Sequence, residues 1–77
     1  MNNKLSEIEN YIIDRVRTIR KEKGFTQEQL SLRLDKGVGF IGDIESSKKA
    51  KYNVQHLNDI AKIFNCSPKD FWPDKGM

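Results

Sequence analysis

The segment TQEQLSLRLDKGVGFIGDIE, residues 26–45, decides how this chain folds. It opens on a helix start. Thr26 followed three residues later by Gln29 is a capping box, and Phe25 just ahead can staple against Leu30. The helix it starts runs to about Leu34 and buries Leu30 and Leu34. A further helix lies in residues 35–45, DKGVGFIGDIE, with Ile41 and Ile44 as its inward pair. About three residues, 35–37, join the two, and so short a connection forces a sharp corner between them.

The same reading extends outward on both sides. Leu5, Ile8, Ile12, Val16 and Ile19 recur at intervals of three and four, the period of an amphipathic helix. Ser6 with Glu9 caps its start and Gly24 stops it. After the central segment comes SSKKAKYN, a polar and basic loop. Asn53 then caps a fourth helix, residues 54–64, with Leu57, Ile60, Ala61 and Phe64 on one face and Asn65 at its end. Ser67 as cap, Pro68 at the first helical position and Asp70 in the opening turn predict a short fifth helix, residues 68–72. Nothing alternates with period two. The expectation is an all-α, compact five-helix domain, one unit over residues 1–77, with a helix-one extension at 5–15 and the helical corner at 26–46.

Size and charge bound what such a domain can do. A chain of 77 residues buries only about 60% of its unfolded surface, too little to shelter an elaborate active site. The net charge is +3 and the pI about 9.1, compatible with a nucleic-acid partner. One cysteine excludes an intramolecular disulfide and a Cys-only zinc site, and fits a reducing, cytoplasmic setting. No apolar signal segment or membrane span is evident, and no cofactor or small-molecule effector is expected. There is no nucleophile–base pair and no glycine-rich phosphate loop between strand and helix, so an enzyme is not expected.

Two short helices meeting at a sharp corner make a helix-turn-helix, in which one helix crosses the DNA backbone and the next enters the major groove. Here TQEQLSLRL, FIGDIESSKK and LNDIAKIFNCSPKDF resemble the Cro and phage-repressor (XRE) helix-turn-helix family of DNA-binding regulators. The resemblance spans residues 16–71. It rests on Thr26-Gln27-Glu28 opening helix two, Ile41 with Ile44-Glu45 in helix three, and the Leu57-Ile60-Ala61 face of helix four. It implies a lambda-repressor-like domain that binds double-stranded DNA as a homodimer. It also implies roles for single residues. Gln27 matches a position that contacts phosphate and sometimes a neighbouring base. Arg20 and Glu45 match a pair that forms an internal salt bridge, Lys48 a phosphate contact, and Asn53 a helix start whose amides face phosphate. A helix N-terminus independently favours an anion.

The recognition helix departs from the family's pattern. Stepping 100° per residue from Ile41, the outward residues are Gly39, Gly42, Asp43 and Ser46, with Val38 and Phe40 on the flanks. Base reading uses Arg or Lys for guanine and Asn or Gln for adenine, and the recognition positions Gly37, Val38, Gly39, Gly42 and Asp43 carry none of these. Three explanations stay open. The glycines permit close approach, with Val38 against a thymine methyl; or Gln27, Arg33, Lys36, Lys48, Lys49 and Lys51 grip phosphates while DNA shape supplies specificity; or the face binds protein. A glycine inside a helix costs about 0.5–1 kcal/mol against alanine, so each asks for a reason.

Other residues have plainer readings. His56 is an ordinary surface or boundary residue, and Cys66 a small buried hydrophobe. Phe71 and Trp72 close the bottom of the core, with an exposed dimer patch as the alternative. Leu5 and Ile8 either cover more of this domain or pair with the same helix of a second copy, the dimer contact being preferred. The leading expectation is a transcriptional repressor working as a homodimer on a palindrome. The alternative is a protein-interaction module, antitoxin-like or an adaptor, that keeps the fold and has lost base reading.

Overall fold

The computed structural model describes residues 4–47 and 49–77. Four α-helices and a closing 3₁₀ turn follow one another: α1, Glu7–Glu22; α2, Gln27–Arg33; α3, Phe40–Ser47; α4, Val54–Phe64; and the turn Pro68–Phe71. No strand occurs among the described residues, so the fold is all-α. None of the helices is long and apolar enough to cross a membrane.

Local chemistry sets most of the boundaries. Reciprocal capping boxes open α1 (Ser6 with Glu9), α2 (Thr26 with Gln29) and α4 (Asn53 with His56). The ends share one device. α1, α2 and α4 each close on a residue in the left-handed region, Gly24, Asp35 and Asn65. In each case the next amide reaches back five residues: Phe25 to the Arg20 carbonyl, Lys36 to Ser31 and Cys66 to Ala61, all at 3.0 Å. This is the Schellman arrangement, which satisfies carbonyls that the helix itself leaves unpaired.

Two expectations need correction. The fifth helix is a single 3₁₀ turn. Ser67 and Pro68 start it as predicted, but the Trp72 amide donates to Lys69, three residues back, and Trp72 leaves in extended backbone. Four residues leave no room to propagate an α-helical ladder. The link between α2 and α3 is also longer than three residues. α3 begins at Phe40, because Asp35 turns the chain out of α2 and a second turn, closed by the Phe40 amide on the Gly37 carbonyl, follows it. The left-handed position falls on Asp35, and none of Gly37, Gly39 and Gly42 has positive φ.

The core gathers Ile12, Ile13, Val16 and Ile19 of α1 with Leu30, Ile41, Ile44, Leu57, Ile60, Phe64 and Phe71. Phe64 stacks edgewise on Phe71 and tilts against Phe25. Leu34, expected to be buried, is half-buried at the end of α2. Leu5 and Ile8 are half-buried and pack against the core of their own domain. Phe71 and Trp72 part company: Phe71 is fully buried, while Trp72 is 47% exposed. Cys66 is half-buried on the core, and burial and then Asp70 push its thiol pKa up. α2 and α3 pack closely on each other, and α1 packs against α3.

Candidate nucleic-acid interface

Ser31 joins α2 to α3. It is fully buried; its hydroxyl donates to the Gln27 carbonyl at 2.8 Å and accepts the Ile41 amide at 2.9 Å. The residue preceding α3 is Gly39, which has no side chain to cap with, so a side chain from α2 serves an amide in the first turn of α3. This fixes the angle at which α3 leaves the corner.

A second clamp ties both helices to α1. Arg20 meets Glu45 in a fork, Nε to Oε2 at 2.9 Å and Nη2 to Oε1 at 3.0 Å, and its Nη1 donates to the Phe25 carbonyl at 2.8 Å. The side chains of the pair are 7% and 3% exposed. Glu45 Oε1 also accepts from Gln27 Nε2 at 2.9 Å. One carboxylate thus holds α1, α2 and α3 together. A Cβ on residue 42 would sit 3.1 Å from Gln27 Oε1, so the glycine at 42 makes room for this amide. Gly39 has no such reason; a Cβ there meets nothing closer than Asp43 Oδ2 at 3.9 Å.

Of the five recognition-helix positions expected from the sequence, Gly42 and Asp43 lie in α3. Gly37, Val38 and Gly39 lie in the loop ahead of it, with Val38 exposed. Asp43 stands in the first turn of α3, where a carboxylate complements the helix dipole. Gln27 is exposed at the start of α2, but one of its amide hydrogens already goes to Glu45. Arg33 lies over the Phe25 ring at 5.4 Å and Lys36 over the Phe40 ring at 5.5 Å, and both residues are exposed. Lys49 is exposed beside the end of α3. Lys51 pairs with Glu9 of α1 at 2.5 Å and holds the Glu9 carboxyl below the usual carboxylate range. Lys48 lies outside the described residues.

Asn53 starts α4, but its own amide donates to His56 Nδ1 at 3.1 Å while its side chain accepts the His56 amide at 2.7 Å. The anion-facing donors of this end are therefore the amides of Val54 and Gln55, which no carbonyl of the helix can reach. His56 is no bystander. Besides capping α4, its ring lies edge-on to Phe40, with centroids 5.0 Å apart, and to Tyr52 at 6.4 Å, joining α4 to the foot of α3. Burial and then Lys36 lower its pKa, with Asp59 acting the other way. Among the described residues no group of His, Cys, Asp and Glu could hold a metal ion.

Two short helices locked together at a fixed angle form a helix-turn-helix corner. The helix-turn-helix family model matches residues 16–71 of this chain. The chain belongs to the helix-turn-helix family. The matched type is that of Cro and the phage repressors, whose members are DNA-binding regulators. No curated protein matches the chain in sequence. The helix-turn-helix proper is α2, the loop 34–39 and α3, with Ser31, Arg20 and Glu45 as its internal fastenings. Ser31 and His56 were missed as interface supports. Their signals were a lone serine beside Leu30 on the inward stripe of α2, and the three-residue spacing of Asn53 and His56.

Proposed function

We propose that this helix-turn-helix protein is a non-enzymatic transcriptional repressor of the cytoplasm, acting as a homodimer on a palindromic site and blocking transcription by occupancy. The observation that carries the reading is the Arg20–Glu45–Gln27 clamp, which with Ser31 presents α3 as a rigid, solvent-facing edge. A rigid helix held at its base is what major-groove insertion needs. Arg33, Lys36, Lys48 and Lys49 and the start of α4 supply phosphate contacts around it.

A second copy would seat in the groove between α1 and the start of α4. There Ile8, Ile12, Leu57 and Trp72 line a groove of about 360 Å³, and Val54, 80% exposed, stands at its rim. Groove and projecting apolar side chains on one face suit a self-complementary two-fold contact. A palindromic site requires the two α3 helices of such a dimer to lie about 34 Å apart, one DNA turn.

The alternative, a protein-interaction module, draws on Gly39 and Gly42 as a close-packing face; Gln27 lies over Gly42 and fills part of that face from within. Affinity selection of the protein on a randomised duplex library near physiological salt tests the choice. A repressor enriches a palindrome, and its affinity falls with salt at a log–log slope of about −0.9 per phosphate neutralised. Retention at low salt alone, with no motif, would favour the interaction module.

A further inference from the structure

We propose that Glu9, on the part of α1 that precedes the residues matched to the helix-turn-helix family, withholds Lys51 from the DNA backbone and so limits how tightly this domain grips DNA. The inference rests on the DNA-binding reading above. It concerns a pair of which one member, Glu9, lies outside the matched residues 16–71.

The carboxylate is aimed by its own helix. Glu9 Oε1 accepts the Ser6 amide at 2.8 Å, while the Ser6 hydroxyl accepts the Glu9 amide at 3.2 Å. This reciprocal cap fixes one oxygen at the start of α1. The other oxygen, Oε2, is left for a partner from elsewhere in the chain, and accepts Lys51 Nζ at 2.5 Å. A phosphate reaching for Lys51 has to displace a carboxylate already held in place.

Lys51 stands where a phosphate contact belongs. Lys49, two residues before it, is exposed beside the end of α3, and Asn53, two residues after it, starts α4 with its unpaired amides. Ala50 and Tyr52 pack on the core between them, which leaves Lys49, Lys51 and Asn53 as the exposed members of this stretch. The Lys51 side chain is 57% exposed, so burial does not keep it from an anion; Glu9 does. Glu9 also lines one groove with Asn53 and Val54, which brings its negative charge to the start of α4, where it opposes a second anion. An exposed pair of this kind adds little to stability. Its larger effect is on a polyanion, whose binding depends on how many cations are free to neutralise phosphates.

The test is binding of the full chain to a short mixed-sequence duplex over a salt series, at protein concentrations where sedimentation gives every variant the same mass. Wild type is compared with Glu9→Gln, Lys51→Met and the double variant. Glutamine at position 9 keeps an oxygen for the Ser6 amide, but its nitrogen cannot accept from Lys51, so the cap stays and the pair goes. Glu7→Gln, at an exposed position in the same turn, makes the same change in net charge and serves as control. Glu9→Gln is expected to bind roughly two- to fivefold more tightly, with a log–log salt slope steeper by about 0.9 per bound domain. Lys51→Met should leave wild-type affinity nearly unchanged and yet remove the whole gain made by Glu9→Gln. A gain as large from Glu7→Gln overturns the proposal, since net charge alone then explains it. So does a Glu9→Gln variant with unchanged affinity, which makes the pair a fastener only, and so does Lys51→Met weakening wild type and Glu9→Gln alike, which places Lys51 on the DNA already. In all three cases wild type still binds and the repressor reading stands. A wild type that fails to bind duplex even at low salt overturns both.

Discussion

Arg20 and Glu45 show what a single buried charge is worth in this domain. Their side chains are almost wholly out of water, and each is the other's partner. Removing one strands the other in low dielectric, at a cost of about 3–5 kcal/mol. That is a large share of the roughly 5–15 kcal/mol by which such domains are stable. Arg20→Ala should therefore lower the melting temperature steeply or leave the protein unfolded at room temperature; an unchanged melting curve would show that the fork contributes nothing. His56 makes a subtler case. Its Nδ1 accepts the Asn53 amide, so the ring that caps α4 must be neutral, with its hydrogen on Nε2. Burial and Lys36 lower its folded pKa below the unfolded value of about 6.5, with Asp59 a partial offset. A depressed histidine stabilises fully above its unfolded pKa and loses that contribution as pH falls through the folded one. Urea unfolding at pH 7.5 and 5.5 should show a larger loss for wild type than for His56→Gln, which keeps a neutral capping side chain. Equal losses would remove His56 from the account. Neither role is equally legible in sequence. The family pattern points to the Arg20–Glu45 pair, but a lone histidine on a helix looks ordinary until Phe40 and Tyr52 are seen against its ring.

At the scale of elements, the starts of α1, α2, α4 and the closing turn were legible because capping is local: cap and partner lie three residues apart in each. The start of α3 was not, because its support comes from Ser31, ten residues away from the Ile41 amide it accepts. The loop misled for a related reason. Its left-handed turn falls on Asp35, whose short polar side chain tolerates it, and a second turn closed on the Gly37 carbonyl lengthens it. Ser31→Ala tests the trans cap. It would leave a buried amide without its acceptor, at about 1–3 kcal/mol. For a domain this size each kcal/mol shifts the melting temperature by roughly 4–8 °C. Hydrogen exchange at Ile41 should quicken more than exchange in α1, since the loss is at the corner. Uniform quickening across all helices would mean that Ser31 stabilises the domain as a whole and does not hold the corner.

For the whole molecule the question is how one small edge reaches useful affinity. α3 is only two turns long and offers few contacts, and one domain cannot grip DNA tightly with so little. Two domains on one duplex can, because the second binds at the high local concentration set by the first, a gain of about 10²–10⁴ without new contacts. The proposed groove beside Trp72 is the natural place to join them, since no residue of α2 or α3 lines it. Trp72 is half-exposed, lies outside the fully buried core, and follows Phe71, which closes that core itself. Trp72→Glu should thus leave the fold intact while placing a charge in an apolar contact. Sedimentation should show wild type as a dimer and the variant as a monomer at the same concentration. Affinity for a full palindrome should then fall by two orders of magnitude or more, with affinity for a single half-site unchanged. A variant that stays dimeric would move the joint elsewhere on the domain. A monomeric wild type that still binds palindromes tightly would mean that the DNA itself brings the two copies together.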